Sequence, residues 1–221
     1  MAALSPASEP ATGALPELAS VYWRPRTSAA TLRRAGRLWT LTTLAHTIPF
    51  LAAGVLIAVV KPVTIPVSIV LLAHAWAIPE LYAARGANVV RRRRCPGDEG
   101  AEHRALGLLG DLIGHDEREL HGRTGLVLEP GRLGTWLLGE AGALLVVPGA
   151  SRVHCYCVGV RGGELPAADR TAHLLLALRE DEAGFATVAN RAFAGAPWRL
   201  ARRLQTPARE ALRAAVQAAS R

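Results

Sequence analysis

The sequence predicts a membrane α-helical hairpin of two transmembrane helices, followed by a cytoplasmic α+β domain with a four-stranded antiparallel meander flanked by helices. Three observations predict this fold class. Two long apolar runs lie near the N-terminus, and arginines collect on their outer flanks. The remainder of the chain shows one amphipathic helical segment, then short strand-like segments separated by turn residues, then further helical segments.

Residues 1–27 are rich in Pro and Ala and have no hydrophobic period, so we expect a disordered N-terminal tail. The first 22 residues also lack the positive charge and apolar core of a cleavable signal peptide. Ser28 is a candidate N-cap for a short juxtamembrane helix that runs directly into the first span. We therefore assign residues 28–90 to this helix and the hairpin.

The two predicted spans cover about 38–60 and 63–84. The first contains no charged residue, and the second contains only Glu80. At about 1.5 Å per residue, each is long enough to cross a hydrocarbon layer of roughly 30 Å. Because only Lys61 and Pro62 separate them, they must form an antiparallel pair. The alternative is a buried helical hairpin in a soluble protein.

The net charge of +8 belongs to the flanks of the hairpin. Residues 1–95 hold 11 basic and 3 acidic residues, whereas residues 96–221 hold 15 of each sign. Because the turn carries one lysine and both outer ends carry arginines, the positive-inside rule predicts a multi-pass protein of the bacterial inner membrane with both termini cytoplasmic. A nucleic-acid-binding domain would carry its own basic surface, so no nucleic-acid partner is expected.

A basic linker is expected at 91–100, a cytoplasmic α+β domain at 101–196 and basic amphipathic C-terminal helices at 197–221. Within the domain, the pattern predicts one helix at 101–121 and helices at 166–182 and 185–193. Four strands are predicted between 124 and 160, because Gly- and Pro-containing turns recur at close intervals. Three cysteines in the whole chain are too few for a disulfide framework and suit a reducing compartment.

Polar residues inside the apolar runs are the first functional candidates. If the hairpin folds about Lys61, His46 and His74 differ in depth by about three residues, or roughly 4.5 Å. Glu80 would lie near the end of the second span. Ionisable groups at membrane depth are costly, so these three residues suggest a proton or metal site or a contact for a partner helix. The alternative is that they only form hydrogen bonds between helices.

A second candidate is the segment from His154 to Cys157 on the fourth predicted strand. Alternation places Cys155 and Cys157 on one face, so a metal site there would need a further ligand such as His173. The usual paired CxxC spacing is absent, and a core strand is the alternative.

Basic residues on both sides of the hairpin, and a basic aromatic segment near the C-terminus, are expected to contact an anionic inner leaflet. These membrane-surface candidates are Arg33, Arg34, Arg37, Arg91, Arg92, Arg93, Arg94, Trp198, Arg199, Arg202 and Arg203. A packed C-terminal helix with a solvated basic face is the alternative for the last four.

The order of a helix and then a meander over residues 100–160 resembles nuclease-related domains of the restriction-endonuclease-like class. That family carries an Asp before the second core strand and a Glu-x-Lys at the end of the third. The corresponding stretches here begin at Leu133 and Leu145 and read Leu-Gly-Thr-Trp and Leu-Val-Val-Pro. Metal-dependent phosphodiester cleavage would therefore lack its ligands.

No nucleotide-binding, hydrolase or kinase motif is present, and no cofactor can be named. The sequence therefore favours a membrane protein whose cytoplasmic domain acts as a binding or scaffolding module, with a protein partner or a second copy of the chain. Two alternatives are a membrane-tethered metal-dependent hydrolase and a small subunit of an oligomeric transporter or channel.

Overall fold

The computed structural model describes residues 26–91, 99–160 and 165–220. The expected N-terminal tail and most of the basic linker, including Arg92, Arg93 and Arg94, lie outside the described residues. The described helices are α1 (Ala29–Val60), α2 (Ile65–Ala87), α3 (Glu99–Leu112), α4 (His115–Thr124), α5 (Ala167–Glu180), α6 (Glu182–Val188), α7 (Pro197–Ala201) and α8 (Thr206–Ala219). The strands are β1 (Val127–Pro130), β2 (Thr135–Gly139), β3 (Gly142–Val146), β4 (Val153–Cys157) and β5 (Asn190–Gly195).

Helices α1 and α2 form an antiparallel pair joined by a short turn containing Lys61, and we call this pair the hairpin. The expected N-cap is confirmed: the side chain of Ser28 accepts from the backbone N–H of Thr31, whose side chain in turn accepts from the backbone N–H of Ser28. The juxtamembrane helix continues into the first apolar run without a break. Gly54 lets the two helices approach closely, since a Cβ at this position would lie 3.2 Å from Leu72.

Both hairpin helices are long and apolar enough to cross a membrane. Only 6% and 11% of their most apolar stretches are buried within the protein. Among the described residues, 18 of the 23 exposed large hydrophobic side chains lie between Leu38 and Leu81. A hairpin in the core of a soluble domain would bury these side chains, so that alternative does not describe this structure.

The sheet contains five antiparallel strands in the order β1-β2-β3-β4-β5. The prediction of four strands is therefore wrong by one. Residues 185–193 were expected to form a helix, but α6 ends at Val188 and β5 follows, pairing with β4 from Val153↔Gly195 to Cys157↔Asn190. Strand β5 is rich in Ala and lacks β-branched residues, so its extended conformation comes from pairing with the free edge of β4 rather than from local preference.

The helical segment predicted at 101–121 also differs, because it is two helices. Helix α3 ends at Leu112 and α4 begins at His115, with Gly114 at the N-cap in an extended conformation. Helix α4 ends at Thr124, and its C-cap residue, Gly125, has a left-handed φ of 73°.

Helices cover both faces of the sheet, so the domain has three layers. On one face, Trp136, Leu145 and Tyr156 pack against α3, α5 and α6. On the other face, Leu144, Cys155 and neighbouring residues pack against α7, α8 and the end of α2. Strands β2 and β3 are buried along their whole length for this reason, and they show no alternation of polar and apolar residues.

The base of the hairpin belongs to this second core. Ala83, Ala87, Val89 and Val90, at the end of α2 and just beyond it, are all at least 93% buried against the sheet. The apolar surface that remains exposed on α2 therefore ends near Leu81. The hairpin and the domain share one packed core and are not separated by a linker at this point.

Candidate functional site

A cleft of about 300 Å³ lies where the hairpin meets the edge of the sheet. We call it the interface cleft. Its walls come from α1, the middle of α2, the turn between β3 and β4, strand β5 and the start of α7. The lining residues are Trp39, Thr40, Thr43, Leu44, Pro79, Tyr82, Ser151, Arg152, Phe193, Ala194, Gly195, Ala196, Trp198 and Arg199.

Aromatic rings build the floor of the interface cleft. The ring of Trp39 meets Tyr82 edge to face with centroids 5.8 Å apart, and it meets Phe193 in the same way at 6.3 Å. Such edge-to-face pairs are favourable beyond the area they bury. They fix α1, α2 and β5 against one another, so the cleft is a feature of the packed structure.

Arg152 enters the cleft from the turn before β4. Its Nη1 donates to the carbonyl of Gly36 at 2.5 Å and to the hydroxyl of Thr40 at 3.0 Å. Glycine at position 36 permits this close approach, because a Cβ there would lie 2.5 Å from Cδ of Arg152 and the arginine side chain would have to shift. Among the described residues, no carboxylate forms an ion pair with Arg152.

Arg199 and Trp198 come from the first turn of α7. The guanidinium of Arg199 lies 5.2 Å from the centroid of the Trp198 ring, and Arg202 takes a similar position at 5.2 Å. Trp198 is 54% exposed. Arg199 also has no described carboxylate partner, and none of the residues that line the cleft is acidic. The interface cleft is therefore cationic and rich in aromatic surface.

The structure holds Glu80 in an ion pair beside the cleft. Its Oε2 accepts from Nε and Nη2 of Arg203 at 2.8 and 2.5 Å. Although Glu80 was predicted as an intramembrane candidate and Arg203 as a membrane-surface residue, the two are partners. The pair ties α2 to the segment directly after α7, and the Glu80 carboxylate is therefore paired with Arg203 and not with Arg199.

The two candidate histidines of the hairpin do not meet. His46 Nδ1 lies 3.2 Å from the Tyr82 hydroxyl, whereas His74 stacks on Phe50 and its Nδ1 lies 2.8 Å from the Val70 carbonyl. Both side chains are exposed on the hairpin surface. His46 therefore contacts the neighbouring helix, whereas His74 contacts Phe50 of the neighbouring helix and the backbone of its own helix.

The candidate metal ligands are also kept apart. Cys155 is completely buried on the face of the sheet covered by α2, Cys157 is exposed at the end of β4, and His173 is exposed on α5, which covers the other face. Within the described ranges, no group of three or more His, Cys, Asp or Glu side chains could hold a metal. Burial raises the pKa of the Cys155 thiol well above its ordinary value, so this thiol is inert.

Of the remaining membrane-surface candidates, Arg33, Arg34, Arg37 and Arg91 are exposed in the structure, as is Arg202. The C-terminal segment is packed as well as basic. Leu200, Leu204, Ala211 and Leu212 bury the inner sides of α7, α8 and the turn between them in the second core, and the arginines of α7 remain outside.

His154 is a buried residue that the sequence pattern indicated only as part of the segment containing Cys155 and Cys157. It is fully buried on β4, and neither ring nitrogen has a hydrogen-bond partner among the described residues. Burial and, to a smaller extent, the positive charges of Arg191 and Arg152 lower its pKa to about 3. His154 is therefore a neutral imidazole at physiological pH.

Two buried carboxylates that the sequence did not single out, Glu182 and Glu140, hold parts of the domain together. Glu182 accepts from the backbone N–H groups of Arg132 and Leu133 at 2.8 and 3.0 Å and from Trp136 Nε1 at 2.7 Å. Glu140 and Arg170 form a buried ion pair. Both carboxylates are less than 10% exposed and satisfied by protein groups, so their role is structural.

No protein-family model, curated protein or solved structure matches this chain. The geometry of the site therefore has to carry the functional argument. Among the described residues, the interface cleft offers two cations, several aromatic rings and hydroxyl groups. Such a set can bind an anionic group beside an apolar one, but the lining offers no carboxylate, histidine or cysteine for acid–base or nucleophilic chemistry.

Proposed function

We propose that this protein is an inner-membrane binding module: the hairpin inserts into the bilayer, and the three-layer domain is held rigidly at the cytoplasmic surface. The exposed apolar band from Leu38 to Leu81 carries this proposal. Leaving such a large apolar surface in water is unfavourable at about 25 cal/mol per Å², whereas a bilayer would cover it.

The distribution of polar groups along the hairpin supports insertion. Exposed large hydrophobic side chains begin at Leu38, directly after the arginines at 33, 34 and 37. On the second helix they end at Leu81, next to the Glu80–Arg203 ion pair. Trp198 and its two arginines lie beside this end of the band. Aromatic and basic residues at one level are typical of a membrane–water interface.

The orientation follows from the positive charges at this level. Arg33, Arg34, Arg37, Arg85 and Arg91 all lie at or near the domain end of the hairpin, and Lys61 is the single basic residue of the turn. The positive-inside rule then places the domain in the cytoplasm and the turn outside. We propose binding as the function in preference to catalysis because the lining of the interface cleft is suited to holding a ligand.

Membrane fractionation and cysteine labelling test this proposal. We expect the protein to stay in the membrane pellet after an alkaline wash. In a bacterial host, a Lys61→Cys variant should react with a membrane-impermeant maleimide in intact cells, whereas the exposed natural Cys157 should react only after permeabilisation.

Release into the soluble fraction by the alkaline wash would contradict membrane insertion. Labelling of Cys157 but not of position 61 in intact cells would reverse the orientation. The wild-type chain, which has Cys95, Cys155 and Cys157 but no cysteine in the turn, is the matched control for position 61, and a Cys95→Ser background assigns the remaining signal to Cys157.

A further inference from the structure

We infer that the interface cleft is a binding site for the headgroup of an anionic phospholipid, whose phosphate contacts Arg199 and Arg152 and whose acyl chains lie along the hairpin. This inference rests on the proposed membrane insertion and names the ligand class of the same site. It follows from the charge, the shape and the position of the cleft.

The charge of the cleft selects an anion. Two guanidinium groups line it, none of the described lining residues is acidic, and the carboxylate of Glu80 is paired with Arg203. Arg199 stacks on Trp198 and has no described hydrogen-bond acceptor, so its planar set of N–H donors is available to phosphate oxygens. Arg152 is held in place by Gly36 and Thr40, so it offers a positioned charge.

The hydroxyl and aromatic groups suit the rest of a headgroup. Thr40, Thr43 and Ser151 line the cleft next to the arginines, and Ser151 is exposed at its rim. The hydroxyls of Thr40 and Thr43 donate to the carbonyls of Gly36 and Trp39, so they can accept from a headgroup hydroxyl, whereas the Ser151 hydroxyl can also donate to phosphate oxygens. A volume of about 300 Å³ is sufficient for a headgroup but not for the acyl chains.

The position of the cleft distinguishes a lipid from a free anion. Leu44 and Pro79 are the lining residues that lie furthest along α1 and α2 towards the turn of the hairpin, and both are apolar. From Leu44 an exposed stripe continues along one face of α1 through Ile48, Leu51 and Val55. This spacing places the four side chains in a row, which provides an apolar path for an acyl chain directly below the phosphate position.

Native mass spectrometry of the full chain in mild detergent tests this inference. The protein is offered equal amounts of phosphatidylglycerol and phosphatidylcholine with identical acyl chains. We expect one phosphatidylglycerol to be retained preferentially per chain. Arg199→Gln should reduce the preference about tenfold, as expected for the loss of a charge-assisted hydrogen bond.

A pair of variants at Ser151 separates charge from shape and from folding. Ser151→Glu adds a carboxylate at an exposed position of the rim and should also abolish the preference for phosphatidylglycerol. Ser151→Gln adds a neutral side chain of nearly the same size as that of glutamate and should retain the preference. Arg213→Gln, an exposed arginine on α8 outside the cleft, is the control for net charge and should bind as the wild type does.

Equal retention of the two lipids by the wild type would overturn the inference. So would an undiminished preference in Arg199→Gln, or an equal loss in Arg213→Gln, which would indicate general attraction to a basic surface. Glycerol 3-phosphate that displaces the lipid at equal concentration would favour a soluble phosphate ligand over a lipid. In each case the alkaline wash remains an independent test of the anchor, so failure of lipid binding can be distinguished from failure of membrane insertion.

Discussion

At the scale of single residues, burial determines which polar groups are available for function. The side chain of His154 is buried on β4 without a hydrogen-bond partner among the described residues. Its pKa is lowered mainly by this burial and, to a smaller extent, by the charges of Arg191 and Arg152. Glu182 is equally buried but accepts three hydrogen bonds. The sequence shows which residues are polar but not which of them the fold will satisfy.

The low pKa of His154 predicts a pH dependence of stability. Its pKa is about 3 in the folded protein against an ordinary value of 6.5, so the unfolded chain binds an additional proton between these values. Stability therefore falls as the pH drops below 6.5, and the contribution of this group approaches about 1.4 kcal/mol per pH unit. His154→Met, which does not titrate, should lack this contribution.

Thermal unfolding of the full chain in detergent at pH 7, 6 and 5 measures the effect. We expect the stability of His154→Met relative to the wild type to increase as the pH is lowered, with carboxylates contributing equally to both proteins. A difference between the two proteins that does not change over this range would contradict a neutral, buried His154.

At the scale of elements, α2 has two roles along its length. Its first part is exposed and apolar, and its last turns cross the sheet at Gly86, where a Cβ would lie 2.6 Å from Cβ of Phe193 and 3.1 Å from Cys155 Sγ. The apolar run at 63–84 predicts most of this helix, which continues to Ala87. The change from exposed to core surface near Leu81 depends on β5, which the sequence pattern does not indicate.

Gly86→Ala tests this close approach between α2 and β5. The added methyl group meets an atom near the backbone of Phe193, so α2 or β5 has to shift, and we expect a loss of about 1–3 kcal/mol of stability. Gly107→Ala is the matched control, because Gly107 lies inside α3 with open space around it. This substitution should stabilise the protein by about 0.5–1 kcal/mol. Equal effects of the two substitutions in thermal unfolding would argue against the tight packing at Gly86.

Strand β5 shows why element prediction was incomplete. The first four strands are separated by Gly- and Pro-containing turns, which have a local signature, and all four are present in the structure. Strand β5 follows α6 directly, and its extended conformation is stabilised by β4, which precedes it by more than thirty residues in the chain. The break between α3 and α4 at Gly114 was missed because the apolar stripe continues across it through Ile113.

At the scale of the whole molecule, the apolar hairpin and the domain are one packed body. The sequence identifies both parts, and it also indicates Trp198 and Arg199 as surface residues near a membrane. It does not indicate the interface cleft, because Trp39, Tyr82 and Arg152 come from separate segments that only tertiary packing brings together. The spacing of residues along the sequence does not indicate which distant segments come into contact in the fold.

The two ends of the domain should therefore differ in their distance from the bilayer. Strand pairing places Val153 and Gly195 at the end of the sheet near the hairpin, and Cys157 and Asn190 at the opposite end. Arg202 lies just after α7, beside the ring of Trp198. Together with the exposed apolar band of the hairpin, these positions define three expected depths. The apolar band is expected inside the bilayer, Arg202 at the membrane–water interface, and Cys157 at the remote end of the domain.

Spin-label depth measurements in lipid nanodiscs test the central claim, that the hairpin spans the bilayer and fixes the domain at its surface. Labels are placed at Val55→Cys, at Arg202→Cys and at the natural Cys157, each in a variant without the other reactive cysteines. Position 55 should be accessible to oxygen but not to a polar nickel reagent, position 202 should be intermediate, and position 157 should be accessible to the nickel reagent as in free solution. A label at position 55 that is as accessible to nickel as the label at 157 would contradict the account.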